Sequence, residues 1–393
     1  MPRVLLGQDG GDGFGHAARL APIADALRRQ GCTVRLALRA PEAARPLLEP
    51  LGLAAVQAPM VRVPARPDLA GHRTAGYVDL LAIYSFDRPG HLLGLVRAWD
   101  RLLEAFAPDL VIADFAPGLA LAARGTAPVV HVGSGYTVPP AAGERLPLLR
   151  HDSDGLPEEA MLAGFNDVQR RRGRPPLASL AELLRGSAAF VTCLPLLDPY
   201  AAVRAEPALG PLRPLPAPAE GPPETGYFAY LAADYRGTAT ALEGLLASGR
   251  PGSVYLRNAD AGTRDEWRRR GLTVHDAPQP LPVAAGQAAV VVHHGGINTT
   301  EAVLALGRPQ LFLPRHAEQV LTSEAVMRRE AGVRMRTGGR FLPRHLAAAL
   351  ADAALPSTAL AARALARQAA AAGPHHGLER VVATCLELLR PRP

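Results

Sequence analysis

Short apolar runs alternate along this chain with stretches whose apolar residues recur every three or four positions. Arg3–Gly7 reads as a strand. Ala17, Leu20, Ile23, Ala24 and Leu27 then mark one face of a helix over His16–Gln30, which Gly31 stops, and Thr33–Leu38 reads as the next strand. Strand, helix and strand in that order predict a parallel sheet with crossover helices. The rhythm continues with a helix near His91–Phe106, the strand Leu110–Ala113, the helix Pro117–Ala123, the strand Val129–Val132, the helix Leu180–Leu184 and the strand Ala189–Cys193. Leu196–Thr225 is crowded with Pro, Gly and Ala, which exclude helix and central strand, and it reads as a linker. Beyond it the rhythm restarts: Tyr227–Leu231, Thr238–Ala247, Ser253–Leu256, Arg264–Arg270 and Thr273–His275. The prediction is α/β, with two doubly wound domains over residues 1–205 and 227–376, a Pro-rich linker over 206–226, and a terminal amphipathic helix within 377–393. Ligands of such sheets bind outside the carboxyl ends of the strands.

The most informative segment is His293–Gln319. The apolar run Ala288–Val292 predicts a strand buried on both faces, and it ends in two imidazoles. Gly295 and Gly296 let the backbone turn and approach a ligand closely. Asn298, Thr299 and Thr300 are good helix caps, Glu301 suits a first turn, and Gly307 with Pro309 ends the helix. Free N–H groups and the helix dipole at such an N-terminus favour an anion. The plainer alternative is an ordinary β–α turn capped by a histidine.

This segment resembles the donor-sugar signature of family 1 glycosyltransferases. Bacterial antibiotic and macrolide members read HHGGxGT, then GVPQ, then Pro, then Asp-Gln. This chain has His294-Gly295-Gly296-Ile297-Asn298-Thr299, Gly307-Arg308-Pro309-Gln310, Pro314 and Glu318-Gln319. The resemblance implies the GT-B fold: two Rossmann-like domains facing a central cleft, the first for the acceptor and the second for the nucleotide sugar. It also implies that His294, with His293 beside it, Gly295, Gly296, Asn298 and Thr299 bind the donor diphosphate, and that Glu318 and Gln319 bind sugar hydroxyls. Pro278 and Gln279 match the Pro-Gln of the family's W-x-P-Q element at the nucleotide base, with Asp276 in the tryptophan position. The terminal helix, in relatives, crosses back to the first domain.

His16 opens the first predicted helix and Asp114 closes the strand Leu110–Ala113, so both sit at carboxyl ends of parallel strands. A His–Asp pair there suits a general base that activates a hydroxyl, the carboxylate fixing the imidazole tautomer. The residues alone leave alternatives open: Asp9 or Asp12 as the partner, or two side chains that never meet. The resemblance places the family's base histidine at His16 and its aspartate at Asp114. It then implies inverting transfer to a hydroxyl or other nucleophile, with no metal needed. Tyr77, Tyr84, Phe86 and Tyr136 fall where relatives build the acceptor pocket; core packing is the other reading of each.

Composition narrows the rest. Net charge is +7, but all 43 basic residues are Arg and they are scattered, so no nucleic-acid tract is expected. The three cysteines, Cys32, Cys193 and Cys385, lie far apart and indicate neither disulfides nor zinc. The opening apolar run is too short for a signal peptide and no window suits a membrane span, so a cytoplasmic, reduced protein without membrane insertion is expected, as monomer or homodimer. The triplet Asp152-Ser153-Asp154 spells a metal motif of another glycosyltransferase fold but lies in a polar loop and reads as chance.

One position departs from the family. The glutamate that binds the ribose diol falls at Ala302, with Glu301 one residue early. One step along a helix turns a side chain by about 100°. If Glu301 cannot reach the ribose, a dTDP-sugar is the expected donor in preference to a UDP-sugar. The acceptor expected is a small natural product. The alternatives are a lipid or cell-wall acceptor, a nucleotide-sugar epimerase, or a catalytically silent GT-B protein that activates a partner enzyme.

Overall fold

The structure is a computed structural model that describes residues 1–11, 14–60, 66–150, 155–336, 341–371, 373 and 375–390. Asp12 and the Asp152-Ser153-Asp154 triplet lie outside the described residues. The chain divides into two compact units, Met1–Arg213 with His375–Pro393, and Pro214–Pro374.

The first unit holds a parallel six-stranded sheet: β1 (Arg3–Gly7), β2 (Thr33–Leu38), β3 (Ala55–Gln57), β4 (Leu110–Asp114), β5 (Val129–Gly133) and β6 (Ala188–Val191), in the order β3-β2-β1-β4-β5-β6. The order reverses between β1 and β4, which are hydrogen-bonded neighbours. Val4, Leu6, Leu36, Leu38, Ile112, Val130 and Val132 pack one face against Leu20, Ile23, Ala24 and Leu27 of the helix Phe14–Arg29. Those are apolar positions of the helical stripe read in the sequence. The terminal helix Gly377–Leu388 completes this core with Val381, Val382 and Cys385.

The second unit repeats the plan with β7 (Thr225–Ala232), β8 (Gly252–Arg257), β9 (Thr273–His275), β10 (Ala288–His293), β11 (Gln310–Phe312) and β12 (Gly332–Arg334), in the order β12-β11-β10-β7-β8-β9. Its switch point lies between β7 and β10. Both faces of this sheet are covered. Tyr227, Ala229 and Leu231 of β7 face one core, and Phe228 of the same strand faces another with Val291, Val303 and Leu306. This is why the β10 sequence is a continuous apolar run with no alternation.

The Pro-rich segment contains the division between the two units, and each of its parts packs on its own unit. Its first part joins the first unit, with Leu212 buried and the Leu209 N–H donating to the Val191 carbonyl at 2.8 Å. Its second part joins the other unit, the N–H groups of Ala219 and Glu224 donating to Leu306 and Gln287 at 3.1 and 2.7 Å. Proline removes a donor from such a segment, but the remaining N–H groups still tie it down. Several helices have little sequence signature: Pro41–Leu48, Tyr77–Ile83 and Pro356–Ala371 are short or alanine-rich. Among the described residues no single helix is long and apolar enough to cross a membrane.

Candidate active site

The first unit brings His16 and Asp114 together at its switch point. The His16 ring leaves the first turn of the helix Phe14–Arg29, and its Nδ1 stands 3.1 Å from Asp114 Oδ1 at the end of β4. This is a close charge contact whose angle falls short of a hydrogen bond. Nε2 lies beside the backbone of Gly11, where φ is +75° and a Cβ would stand 2.4 Å from that nitrogen. Asp114 is wholly buried. Burial alone raises its carboxyl, but the charges of Arg19 and then His16 outweigh that and hold it below the usual range.

Arg19 carried no signal in the sequence. Its Nη1 donates to both Asp114 oxygens, at 3.0 and 2.8 Å, and its Nε donates to Thr192 Oγ1 at 2.9 Å. One turn of helix separates it from His16, so both side chains reach the same carboxylate.

Asp9, the alternative partner for His16, faces elsewhere. Its Oδ2 accepts from Trp99 Nε1 at 3.1 Å and from the Leu119 N–H at 2.9 Å. Burial pushes this carboxyl up to about 7, since two neutral donors do not replace full hydration.

Of the four candidate acceptor aromatics, Tyr77 and Tyr84 meet Phe115 edge-on, with centroids 6.2 and 5.2 Å away. Phe115 directly follows Asp114 and takes a left-handed φ of 45°, which turns its ring over Gly10. An aromatic patch thus adjoins the His–Asp pair, and Phe115 was not singled out in the sequence. Phe86 tilts against Phe165 and, with Tyr84, lines a small cavity beside Asp9; Tyr77, Phe86 and Tyr136 are all buried.

In the second unit the ends of β7, β10 and β11 meet. His293 is buried; Gln310 Oε1 accepts from its Nε2 at 2.8 Å, while its Nδ1 accepts from the Gly295 N–H at 3.1 Å. Burial pushes it down to about 4. It is a neutral brace between two strand ends and offers nothing to a diphosphate, contrary to the expectation for it.

His294 is similarly engaged. Its Nδ1 donates to the Leu313 carbonyl at 2.8 Å and its Nε2 accepts from the Ala232 N–H at 2.9 Å. Burial again pushes the ring down to about 4. As placed, it has no N–H left for a phosphate, and it ties β7, β10 and the segment after β11 into one corner.

The helix Ile297–Leu306 rises from that corner. Its N-cap is Gly296, not Asn298, Thr299 or Thr300, which lie inside the first turn. Gly295 needs its glycine: φ is +89° and a Cβ would press on the Gln319 carbonyl at 3.1 Å and on the Phe312 ring at 3.3 Å. Around the missing Cβ of Gly296 there is open space, and Asn298 is exposed. The first-turn N–H groups have no intrahelical acceptor and face this opening. The nearby guanidinium of Arg315 lies 5.8 Å over the Tyr235 ring, which itself meets His294 edge-on at 5.3 Å.

The remaining donor candidates fall into two groups. Glu301 is buried, only 2% exposed, whereas Ala302 takes the more open position. Glu318 and Gln319 begin the helix Ala317–Met327, and Gln319 Oε1 accepts from the Arg315 N–H at 2.8 Å. Pro278 and Gln279 lie in the loop after β9, the Gln279 amide donating to the Ala277 carbonyl at 3.0 Å. Asp276, in the tryptophan position, is an exposed ion-pair partner of Arg268 at 2.7 Å.

No protein-family profile matches the chain. Four short curated matches are found, among them the following two. A PGL/p-HBAD biosynthesis glycosyltransferase of Mycobacterium tuberculosis is 45% identical over 58 residues, 15% of this chain and 14% of that protein. The elloramycin glycosyltransferase ElmGT of Streptomyces olivaceus is 44% identical over 54 residues, 14% of each. These matches span about a seventh of the relatives' own length. Among solved structures, the glycosyltransferase VinC in complex with dTDP superposes with a TM-score of 0.66 at 18% identity, covering 98% of this chain and 99% of that one. The two Rossmann-ordered sheets, the signature around β10 and these likenesses together identify the chain as a two-domain GT-B protein resembling the family 1 antibiotic glycosyltransferases.

Proposed function

We propose that the protein is an inverting glycosyltransferase that moves a sugar from a nucleoside diphosphate to a small natural-product acceptor. The observation that carries this reading is the contact of 3.1 Å between His16 and a fully buried, ionised Asp114 at the switch point of the first unit. His16 Nε2 takes the proton of the acceptor hydroxyl while the acceptor oxygen bonds to the anomeric carbon. The bond from that carbon to the diphosphate oxygen breaks, and the nucleoside diphosphate leaves with the electron pair. Asp114 stabilises the imidazolium that forms. The leaving charge is met by the free N–H groups of Gly296, Ile297 and Asn298 and by Arg315, a helix-end arrangement suited to phosphate. His294, neutral and saturated, serves as the brace for this corner.

The burial of Glu301 supports a thymidine diphosphate donor, because no carboxylate stands at the position expected to bind a ribose diol. The dTDP complex recorded for VinC is consistent with that choice. Calorimetry with dTDP and UDP tests it, and tighter binding of UDP overturns the donor assignment. Transfer is tested with dTDP-glucose and UDP-glucose against a panel of phenols and alkyl alcohols. His16→Ala is expected to abolish transfer while nucleotide binding persists; unchanged turnover removes the base assignment.

A further inference from the structure

The His16–Asp114 pair is in fact a group of three. Arg19 Nη1 divides itself between the two Asp114 oxygens at 3.0 and 2.8 Å, and its Nε is anchored on Thr192 Oγ1 at 2.9 Å. The Thr192 hydroxyl donates in turn to the Gly133 carbonyl at 3.2 Å, so the anchor is the end of β5. The Arg19 side chain is 9% exposed and Asp114 is not exposed at all. Oδ1 therefore serves two partners at nearly the same distance, Arg19 at 3.0 Å and His16 at 3.1 Å.

We propose that Arg19 is a positioning residue for the transfer reaction: it holds Asp114 charged and in a fixed rotamer, so that the His16 ring always meets an anion. The proposal rests on the reading of His16 as the base. A carboxylate removed from water strongly favours its neutral form unless a cation accompanies it. The neighbouring titratable groups do not supply that cation. Asp9, on the loop after β1, faces Trp99 and Leu119. His131, on the adjacent β5, donates to the Leu183 carbonyl and is kept neutral by burial. In the proposed reaction His16 gains charge with the acceptor's proton; beforehand, among the described residues, Arg19 is the cation that contacts both Asp114 oxygens. A further consequence is that the proton stays on His16, because an aspartate clamped by a guanidinium is a poor proton acceptor.

The test uses the full chain with Arg19→Gln, Arg19→Lys, Asp114→Asn and the Arg19→Gln/Asp114→Asn double variant. In the transfer assay, R19Q is expected to lower kcat roughly tenfold to hundredfold with acceptor KM little changed, and R19K to recover part of the loss. The double variant is expected to match D114N, because Arg19 acts only through Asp114. Proton NMR titration of the histidine rings gives a readout independent of turnover. The signal missing in His16→Asn should titrate differently in R19Q than in wild type, and identically in D114N and the double variant. Additive losses, or a His16 titration unmoved by R19Q, overturn the proposal. A lower melting temperature with normal kcat marks Arg19 as structural only and also overturns it. Absence of transfer by the wild-type protein refutes the glycosyltransferase reading instead, and the titration still decides the role of Arg19.

Discussion

Replacing Gly11 by alanine separates the stability of the first unit from its chemistry. Gly11 has φ +75°, and its added Cβ would stand 2.4 Å from His16 Nε2, with the next ring atom at 3.2 Å. The left-handed conformation costs an L-residue about 1–2 kcal/mol. The ring can swing away from the methyl group, so relief of the clash adds little to that. In a unit of this size the melting temperature should fall by roughly 2–8 °C. The functional effect is far larger. A ring that moves away from Gly11 leaves its place 3.1 Å from Asp114, and general-base assistance is worth about 10²–10⁴-fold in rate. G11A is therefore expected to lose two or more orders of magnitude in kcat while binding dTDP as wild type, since the proposed diphosphate corner at Gly296–Asn298 belongs to the other unit. Thermal melts, dTDP calorimetry and transfer kinetics on one preparation check all three statements. A variant with lowered melting temperature and wild-type kcat would show that His16 does not need its observed position.

Three further outcomes follow from the same contacts. Val381→Ala removes a fully buried side chain from the terminal helix and should destabilise the first unit by about 2 kcal/mol in urea unfolding, without altering dTDP binding. His131 and His293 are each pushed down to about 4, from an unfolded value near 6.5, so the unfolded chain binds protons first as pH falls. Their stabilisation is complete above pH 6.5 and declines toward pH 4, by on the order of 2 kcal/mol each at pH 5, and equal urea midpoints at pH 7 and pH 5 would contradict this. Asp9 has the opposite sign. Its carboxyl is raised to about 7, so stability present below pH 4 is lost as pH rises through 7. Asp9→Asn removes that titration and should leave the protein at least as stable as wild type at pH 8; a marked loss there would mean the carboxylate is needed charged.

The positions of the candidate residues were legible because parallel sheets put their ligands at strand ends, and strand ends are visible as the close of an apolar run. That places His16, Asp114 and the His293–Gln319 segment at strand ends, while their roles came from the family resemblance. Their partners were not legible. Arg19 belongs to the site because one helical turn brings it beside His16, and because Thr192, over 170 residues away in sequence, anchors it. Periodicity marks Arg19 only as a polar position near the helix start. The register of the helix after β10 was also out of reach: a start at Ile297, not near Asn298 to Thr300, buries Glu301 and opens the face beside Ala302.

What the amino-acid sequence determined by itself is the alternation of strand and helix, and with it two doubly wound sheets and the ends at which chemistry gathers. These follow from local periodicity and from the need to bury both faces of each sheet. What only the tertiary structure decided is the state of each group at those ends. Two histidines expected to face a phosphate are saturated by backbone and glutamine, and Asp9 is turned to Trp99. Phe115 joins the aromatic patch, and an arginine pairs with the buried Asp114 carboxylate. The physical reason is that hydrogen-bond satisfaction and charge balance are properties of neighbours in space, and those neighbours come from strands and helices far apart in the chain.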